Sequence, residues 1–387
     1  MGFVTASAPG KCILFGEHAV VYGHPAVAVA IDQRISVKIQ PSPNHLWLLD
    51  GGSLNMHRNP HIKGLIEKLW PKQYGAPELS IHIKGNIPRA SGLGSSAALS
   101  VATAAALRMA RGRWVSKTDG TQQQNWLEGF GSTIANSEPY DNSPGFFATE
   151  SQDERYHITN KSSVDNDECA ILAHGVEAAV QQGRASPMDS STCSHGGIII
   201  ISDVVEQDID YLYQRTLAMK DATRKWHIHE MSPPSDSNDV YLVIGNTGVH
   251  APTGKQVAKV AKMLQQDPSR MKEIDTIGQI ARRGIKALKQ GDFAAVGRTM
   301  TENQLMLSSI GVSSPELDNL IRAAIPSSLG AKLTGAGGGG CMVALTRNPK
   351  ETSDAIELAG GRTLISRLGS SGLSIDDSQN TIIWTKP

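Results

Sequence analysis

The spacing of apolar residues changes period along the chain, and each period predicts an element. Residues 27–39 alternate apolar and polar around Arg34, and 79–84 (Leu-Ser-Ile-His-Ile-Lys) alternate cleanly, so both predict strands. Between them, Ile62, Leu65, Ile66 and Leu69 recur at helical spacing. A strong Ala- and Leu-rich helix is predicted over 96–108, preceded by a glycine-rich turn and fading at Arg111-Gly112. Another follows over 167–182, with Ile171, Leu172, Val176 and Val180 on one face. Apolar runs at 197–201, 240–244 and 341–345 predict short buried strands, and 381–384 a last one. Helices are predicted at 253–266, 271–290, 292–309 and 315–324, with Thr253, Asp292 and Ser314 as N-terminal caps. Strand and helix runs mix without a regular βαβ rhythm, which predicts an α+β fold. A boundary between 195 and 235 divides the chain into two domains, 1–195 and 196–387.

Residues 112–167 break the pattern. Only five of these 56 are Ile, Leu or Val, and nine acids stand against four bases. That composition reads as a polar surface insertion, or as a lid carrying Trp126, Phe130, Tyr140, Phe146 and Phe147.

Charge removes one class of partner. Lys+Arg and Asp+Glu both number 37, so there is no global basic field for nucleic acid. No apolar run approaches the roughly 18 to 20 residues of a membrane span, and no basic-then-apolar leader opens the chain. Cys12, Cys169, Cys193 and Cys341 are far apart and form no CxxC pair, so they read as reduced thiols of a cytoplasmic protein.

Composition matters mainly through glycine, 38 of 387 residues, which cluster in three segments. In Ala8-Pro9-Gly10-Lys11-Cys12-Ile13-Leu14-Phe15-Gly16-Glu17-His18, a turn at Pro9-Gly10 is expected to release a strand. Lys11 and Glu17, six apart, would then share a face. Such a pair suits a hydroxyl substrate with an anionic tail, or makes an ordinary surface hairpin with a salt bridge. In Pro88-Arg89-Ala90-Ser91-Gly92-Leu93-Gly94-Ser95-Ser96-Ala97, a glycine turn delivers free backbone N–H groups at a helix start, where phosphate is favoured. Ser95 and Ser96 add hydroxyl ligands for phosphate oxygens or Mg²⁺. Neither GxxxxGK[ST] nor GxGxxG after a strand occurs, so this is neither a Walker P-loop nor a dinucleotide site. The third segment, 332–341 (Lys-Leu-Thr-Gly-Ala-Gly-Gly-Gly-Gly-Cys), runs into a strand that its glycines would weaken. Close approach of the backbone to another element or to a ligand explains it. Asp189 and Glu177 are the acid–base candidates, with a turn aspartate and a solvated helix carboxylate as their alternatives. His227-Ile228-His229-Glu230 could be read as metal ligands and more simply as a polar loop.

These three segments in this order resemble the GHMP small-molecule kinase superfamily. Within it, the stretch from Gly16 to Ala26 is similar to the mevalonate kinase family. The resemblance implies a two-domain α+β fold, with an N-terminal ribosomal-S5-like domain, a C-terminal α/β-plait-like domain and the active site in the cleft. It implies ATP-dependent phosphorylation of the mevalonate 5-hydroxyl with Mg²⁺, by a cytoplasmic homodimer. Residue by residue, Asp189 and Lys11 match the catalytic positions. Pro88, Gly92, Leu93, Gly94, Ser95, Ser96, Ala97, Gly337 and Gly338 match nucleotide-binding positions. Ser96 and Glu177 match Mg²⁺ ligands, and Lys11, Glu17, His18, Asp189 and Thr253 substrate-binding positions. Pro187 stands where the family has glycine, which restricts the turn before Asp189. The rival readings are a sister kinase acting on phosphomevalonate, homoserine or a sugar, a decarboxylase of the same fold, and an inactive ligand-binding paralogue.

Overall fold

The computed structural model describes residues 2–70, 72, 75–88, 91–111, 114–118, 121–125, 164–181, 185–218, 223–234, 237–250, 253–376 and 383. Most of the 112–167 insertion and all of the 381–384 strand except Ile383 lie outside them.

The spine of the first sheet is the 16-residue strand β2 (Ala26–Pro41), which pairs antiparallel along one edge with β1 (Val4–Phe15). β3 (Leu48–Leu49) and β4 (Gly52–Ser53) form a short ribbon that adds to β5 (Leu79–Gly85). On the other edge of β2, its C-terminal half pairs with β5 and its N-terminal half with β8 (Ile198–Ser202). β6 (Trp114–Thr118) and β7 (Thr121–Asn125) form a separate hairpin. β9 (Asp210–Ala218) and β10 (Thr223–Met231) extend the sheet beyond β8, and β15 (Ser374–Ile375) pairs with β1. A unit ending at residue 195 would therefore leave out β8–β10 and β15, which hydrogen-bond into the N-terminal sheet. The segment 227–230 is part of β10 and not a loop. Trp226 and Ile228 point inward there, in the period-two pattern of a half-buried strand.

Of α1 (Pro60–Leu69), α2 (Ser95–Arg111), α3 (Asn166–Val180) and α4 (Met188–His195), α2 and α4 pack on this sheet, and α1 and α3 pack chiefly against the other helices. α2 is central. Its alanines are buried nearly all round, and small side chains let β1, β2, α1 and α3 approach it closely. The second sheet, in order β12 (Gly330–Thr334), β13 (Cys341–Thr346), β11 (Tyr241–Asn246) and β14 (Arg362–Arg367), is wholly antiparallel. Val243, Met342 and Ala344 pack with α5 (Thr253–Gln266), α6 (Met271–Lys289), α7 (Phe293–Ser309), α8 (Pro315–Ala324) and α9 (Pro349–Leu358). Leu242, Ile244, Val343 and Leu345, on the opposite face, join the large core of the first sheet. The two sheets thus share one core, as an α+β fold with a cleft between its halves.

β1 does not turn at Pro9-Gly10 as expected. It runs on to Phe15, and the register to β2 shifts between Pro9 and Lys11 instead. Proline has no N–H for the ladder, and the shift leaves the Lys11 N–H to donate to Leu93 O at 3.0 Å. A Cβ on Gly10 would sit 2.8 Å from that same carbonyl, so only glycine allows the approach. That contact docks the strand against the loop ahead of α2.

Candidate active site

A cleft of about 700 Å³ opens between the halves, lined by residues of all three glycine segments. Lys11 crosses its floor, buried to 2% exposure. Its Nζ donates to Gly92 O at 3.0 Å and to Asp189 Oδ1 at 3.1 Å. Gly94, at φ 73, passes directly over this side chain, and a Cβ there would lie 3.0 Å from Lys11 Cγ. Burial works to lower the Lys11 pKa, but the charge and hydrogen bond of Asp189 more than offset it, so the ammonium is held above its usual value.

Asp189 sits in the first turn of α4, which follows directly after Pro187. The proline at φ −74 fits that helix start, and its carbonyl accepts from Ser190 Oγ and Ser191 Oγ at 3.1 and 2.6 Å. Proline here organises the turn and does not disturb it.

Gly94 O accepts from Ala98 N at the start of α2, so the amides ahead of Ala98 lack intrahelical partners, and Gly94, Ser95 and Ser96 line the cleft. Ser96 Oγ lies 3.5 Å from Glu177 Oε1, and Gln181 Nε2 donates to the same oxygen at 3.0 Å. Gln181 was not singled out from sequence, although its place one turn after Glu177 is the signal for it. Glu177 is buried, not solvated, and burial first and the neighbouring Asp189 second push its pKa up to about 8. Two carboxylates here share one lysine. The hard oxygen donors of Ser96 and Glu177, short of positive charge, fit a Mg²⁺ ion that completes its shell with phosphate and water.

His18 also lines the cleft. It adopts φ 63, and its Nε2 is 3.0 Å from Ala336 O. Burial pushes its pKa down to about 4, so the ring is neutral and Nε2–H donates, leaving Nδ1 as an acceptor. Thr253 lines the opposite wall at the exposed start of α5.

Glu17 does not face Lys11. The strand ends at Phe15, and Gly16 at φ 88 rotates the chain, so period-two counting fails before residue 17. Its carboxylate is sealed instead against Lys332 Nζ, with Asn303 Nδ2 donating at 3.0 Å. Burial raises the Glu17 pKa and lowers that of Lys332, the penalty each charge carries away from water.

The remaining expected nucleotide positions lie off the cleft. Leu93 and Ala97 are core residues, and Pro88 is not part of the lining. Gly337 and Gly338 are packing glycines. A Cβ on either would lie 2.0 Å from Val312 O or Gln256 Nε2, and Gly338 N is already bonded to Val312 O at 2.7 Å. Nearby, Gly335 meets Gly92 backbone to backbone and Cys341 N donates to Ser91 O at 3.1 Å. The glycine run therefore braces the loop ahead of α2. The approach is to another element.

Residues 60–136 match the family described as GHMP kinases N terminal domain, and 285–361 match GHMP kinases C terminal. The mevalonate kinase of Methanothermobacter thermautotrophicus is 32% identical over 88% of this chain and 89% of its own. That of Archaeoglobus fulgidus is 30% identical over 89% and 93%. Among solved structures, the Methanococcus jannaschii mevalonate kinase superposes with a TM-score of 0.62 at 24% identity, covering 94% of this chain and 98% of its own. A Streptococcus pneumoniae phosphomevalonate kinase reaches the same TM-score at 16% identity, over 95% and 100%, so the fold alone does not separate the two. The chain belongs to the GHMP kinases and, within them, to the mevalonate kinase family.

Proposed function

We propose that this chain transfers the γ-phosphoryl group of ATP to the 5-hydroxyl of (R)-mevalonate, giving 5-phosphomevalonate and ADP. The Lys11–Asp189 pair beside the N-terminus of α2 carries the reading. Asp189 accepts the hydroxyl proton as the oxygen attacks phosphorus, the new O–P bond forms, and the bond to the ADP oxygen breaks. Lys11 and the amides at Gly94–Ser96 hold the developing charge on the phosphoryl oxygens. His18 Nδ1 is placed to accept from a substrate hydroxyl, and Thr253 to bind from the far wall. Ser96 and Glu177 would hold Mg²⁺, which when bound neutralises phosphate charge. Glu17 belongs to the same cleft lining, but its carboxylate is taken up by Lys332 and Asn303, and we read it as holding the turn that carries His18.

The names of the relatives support mevalonate over other acceptors, and a solved structure of similar fold, the L. major mevalonate kinase, is in complex with R-mevalonate. We place the activity in the cytoplasm, in keeping with four free, buried cysteines. Among the described residues no helix is long and apolar enough to cross a membrane. We read the assembly as a homodimer; a sedimentation mass matching one 41.3 kDa chain would overturn that. ADP release measured in parallel with mevalonate, phosphomevalonate and homoserine tests the substrate. Release with mevalonate is expected, and release with phosphomevalonate alone contradicts the reading.

A further inference from the structure

Among the described residues the hairpin β9–β10 contributes nothing to the cleft lining, yet it reaches the segments that carry Glu177, Asp189 and His18 from behind. Arg215 on β9 is fully buried and donates from Nε to His174 Nδ1 at 2.8 Å. His174, also fully buried, lies on α3 one turn before Glu177. An acceptor role at Nδ1 places the ring proton on Nε2, and burial, then the guanidinium charge, push the histidine pKa down to about 3. Nε2–H then donates to Ala185 O at 3.1 Å, in the segment that leads into α4 and Asp189. From β10, Trp226 meets the His174 ring edge-on at 6.1 Å and donates to Val20 O at 3.1 Å, two residues after His18. Tyr213 OH lies 2.9 Å from Ser191 Oγ on α4.

We propose that Arg215 and His174 are positioning residues for phosphoryl transfer, fixing Asp189 relative to Glu177 through the chain Arg215–His174–Ala185. The two carboxylates stand on separate helices, so their separation depends on ties between α3 and the segment that opens α4. His174 is such a tie, and Arg215 fixes the tautomer that makes it a donor. A displacement of about 1 Å at the reacting groups can cost about 100-fold in rate.

The inference rests on the kinase reading above, and the test separates the two. His174→Asn can put its amide oxygen near the place of Nδ1 but is too short to bring its N–H to Ala185 O, whereas the longer His174→Gln can reach Ala185 O with its Nε2–H. Turnover with ATP and mevalonate is measured for both beside nucleotide affinity. Expected are a kcat loss of roughly 10- to 100-fold in His174→Asn, nucleotide affinity within about twofold of the parent, and His174→Gln within about threefold of the parent kcat. A parental kcat in His174→Asn, or His174→Gln as slow as His174→Asn, overturns the inference. If His174→Asn does not fold, Arg215→Met serves, because it removes the hydrogen bond that anchors the Nδ1 edge of the ring and so loosens the tie to Ala185. It should slow turnover to the same extent, and a parental rate again overturns the inference. The ¹⁵N shifts of His174 need no substrate at all. An Nε2-protonated ring supports the tie and an Nδ1-protonated ring contradicts it, even if mevalonate proves the wrong acceptor.

Discussion

Two lysine–carboxylate pairs arise from the same short stretch of chain, residues 11–17, and they end in opposite environments. Lys11 meets an Asp189 side chain that is 28% exposed to the cleft, whereas Glu17 and Lys332 are 1% and 0% exposed. In the open pair the partner's charge outweighs burial and keeps Lys11 protonated. In the sealed pair burial outweighs the partner, and both members are pushed toward their neutral forms. An ion pair at a cleft wall keeps charge available to a substrate. One locked in the core serves as a strut, and this one joins the turn after β1 to β12 and, through Asn303, to α7. Chemistry and architecture here use the same residue types and differ in access to water.

The comparison breaks most visibly at Lys332. Lys332→Met leaves a buried carboxylate without its cation and should cost about 3 to 5 kcal/mol in urea unfolding. Adding Glu17→Gln should recover most of that loss, and an unchanged midpoint in the single variant would contradict the strut. A smaller effect comes from pH. His18, next to Glu17 in sequence, stays neutral down to about pH 4, while an unfolded histidine takes up a proton near 6.5. The unfolded state therefore binds more protons below about pH 6.5. Stability present above that pH is lost as pH falls toward 4, by up to about 3 kcal/mol from this residue. Melting from pH 4 to 8 should show that slope, and His18→Gln should flatten it in part. The smallest effect is expected at Gly92, which holds φ 81 with Thr334 O only 2.8 Å from where a Cβ would lie. Gly92→Ala should cost about 1 to 2 kcal/mol in thermal unfolding and raise KM for ATP.

Much of the open pair's setting could be read in the sequence, because local signals encode it. The glycine turn, the Ser95–Ser96 helix start and the helix carrying Glu177 are each contiguous, and the helices from 253 to 324 fall within a residue or so of their periodic patterns. The sealed pair could not be read that way. Glu17 and Lys332 are 315 residues apart, and a lysine in the middle of the short strand β12 carries no local mark of its partner. Gly16 hid the outcome further by rotating the chain between Phe15 and Glu17. The β9–β10 hairpin was missed for a similar reason. Its charged and histidine-bearing positions look like a linker until Trp226, Ile228 and Arg215 are seen buried against the N-terminal sheet.

The central claim is that the open pair performs the chemistry and the sealed pair does not. Single-turnover phosphorylation of mevalonate by Asp189→Asn and Glu17→Gln, measured side by side on folded protein, tests it most directly. Asp189→Asn should lose roughly 100- to 10,000-fold in rate while still binding ATP. Glu17→Gln should stay within about tenfold of the parent and pay mainly in unfolding midpoint. A near-parental rate in Asp189→Asn, or a greater loss of rate in Glu17→Gln than in Asp189→Asn, would contradict the account.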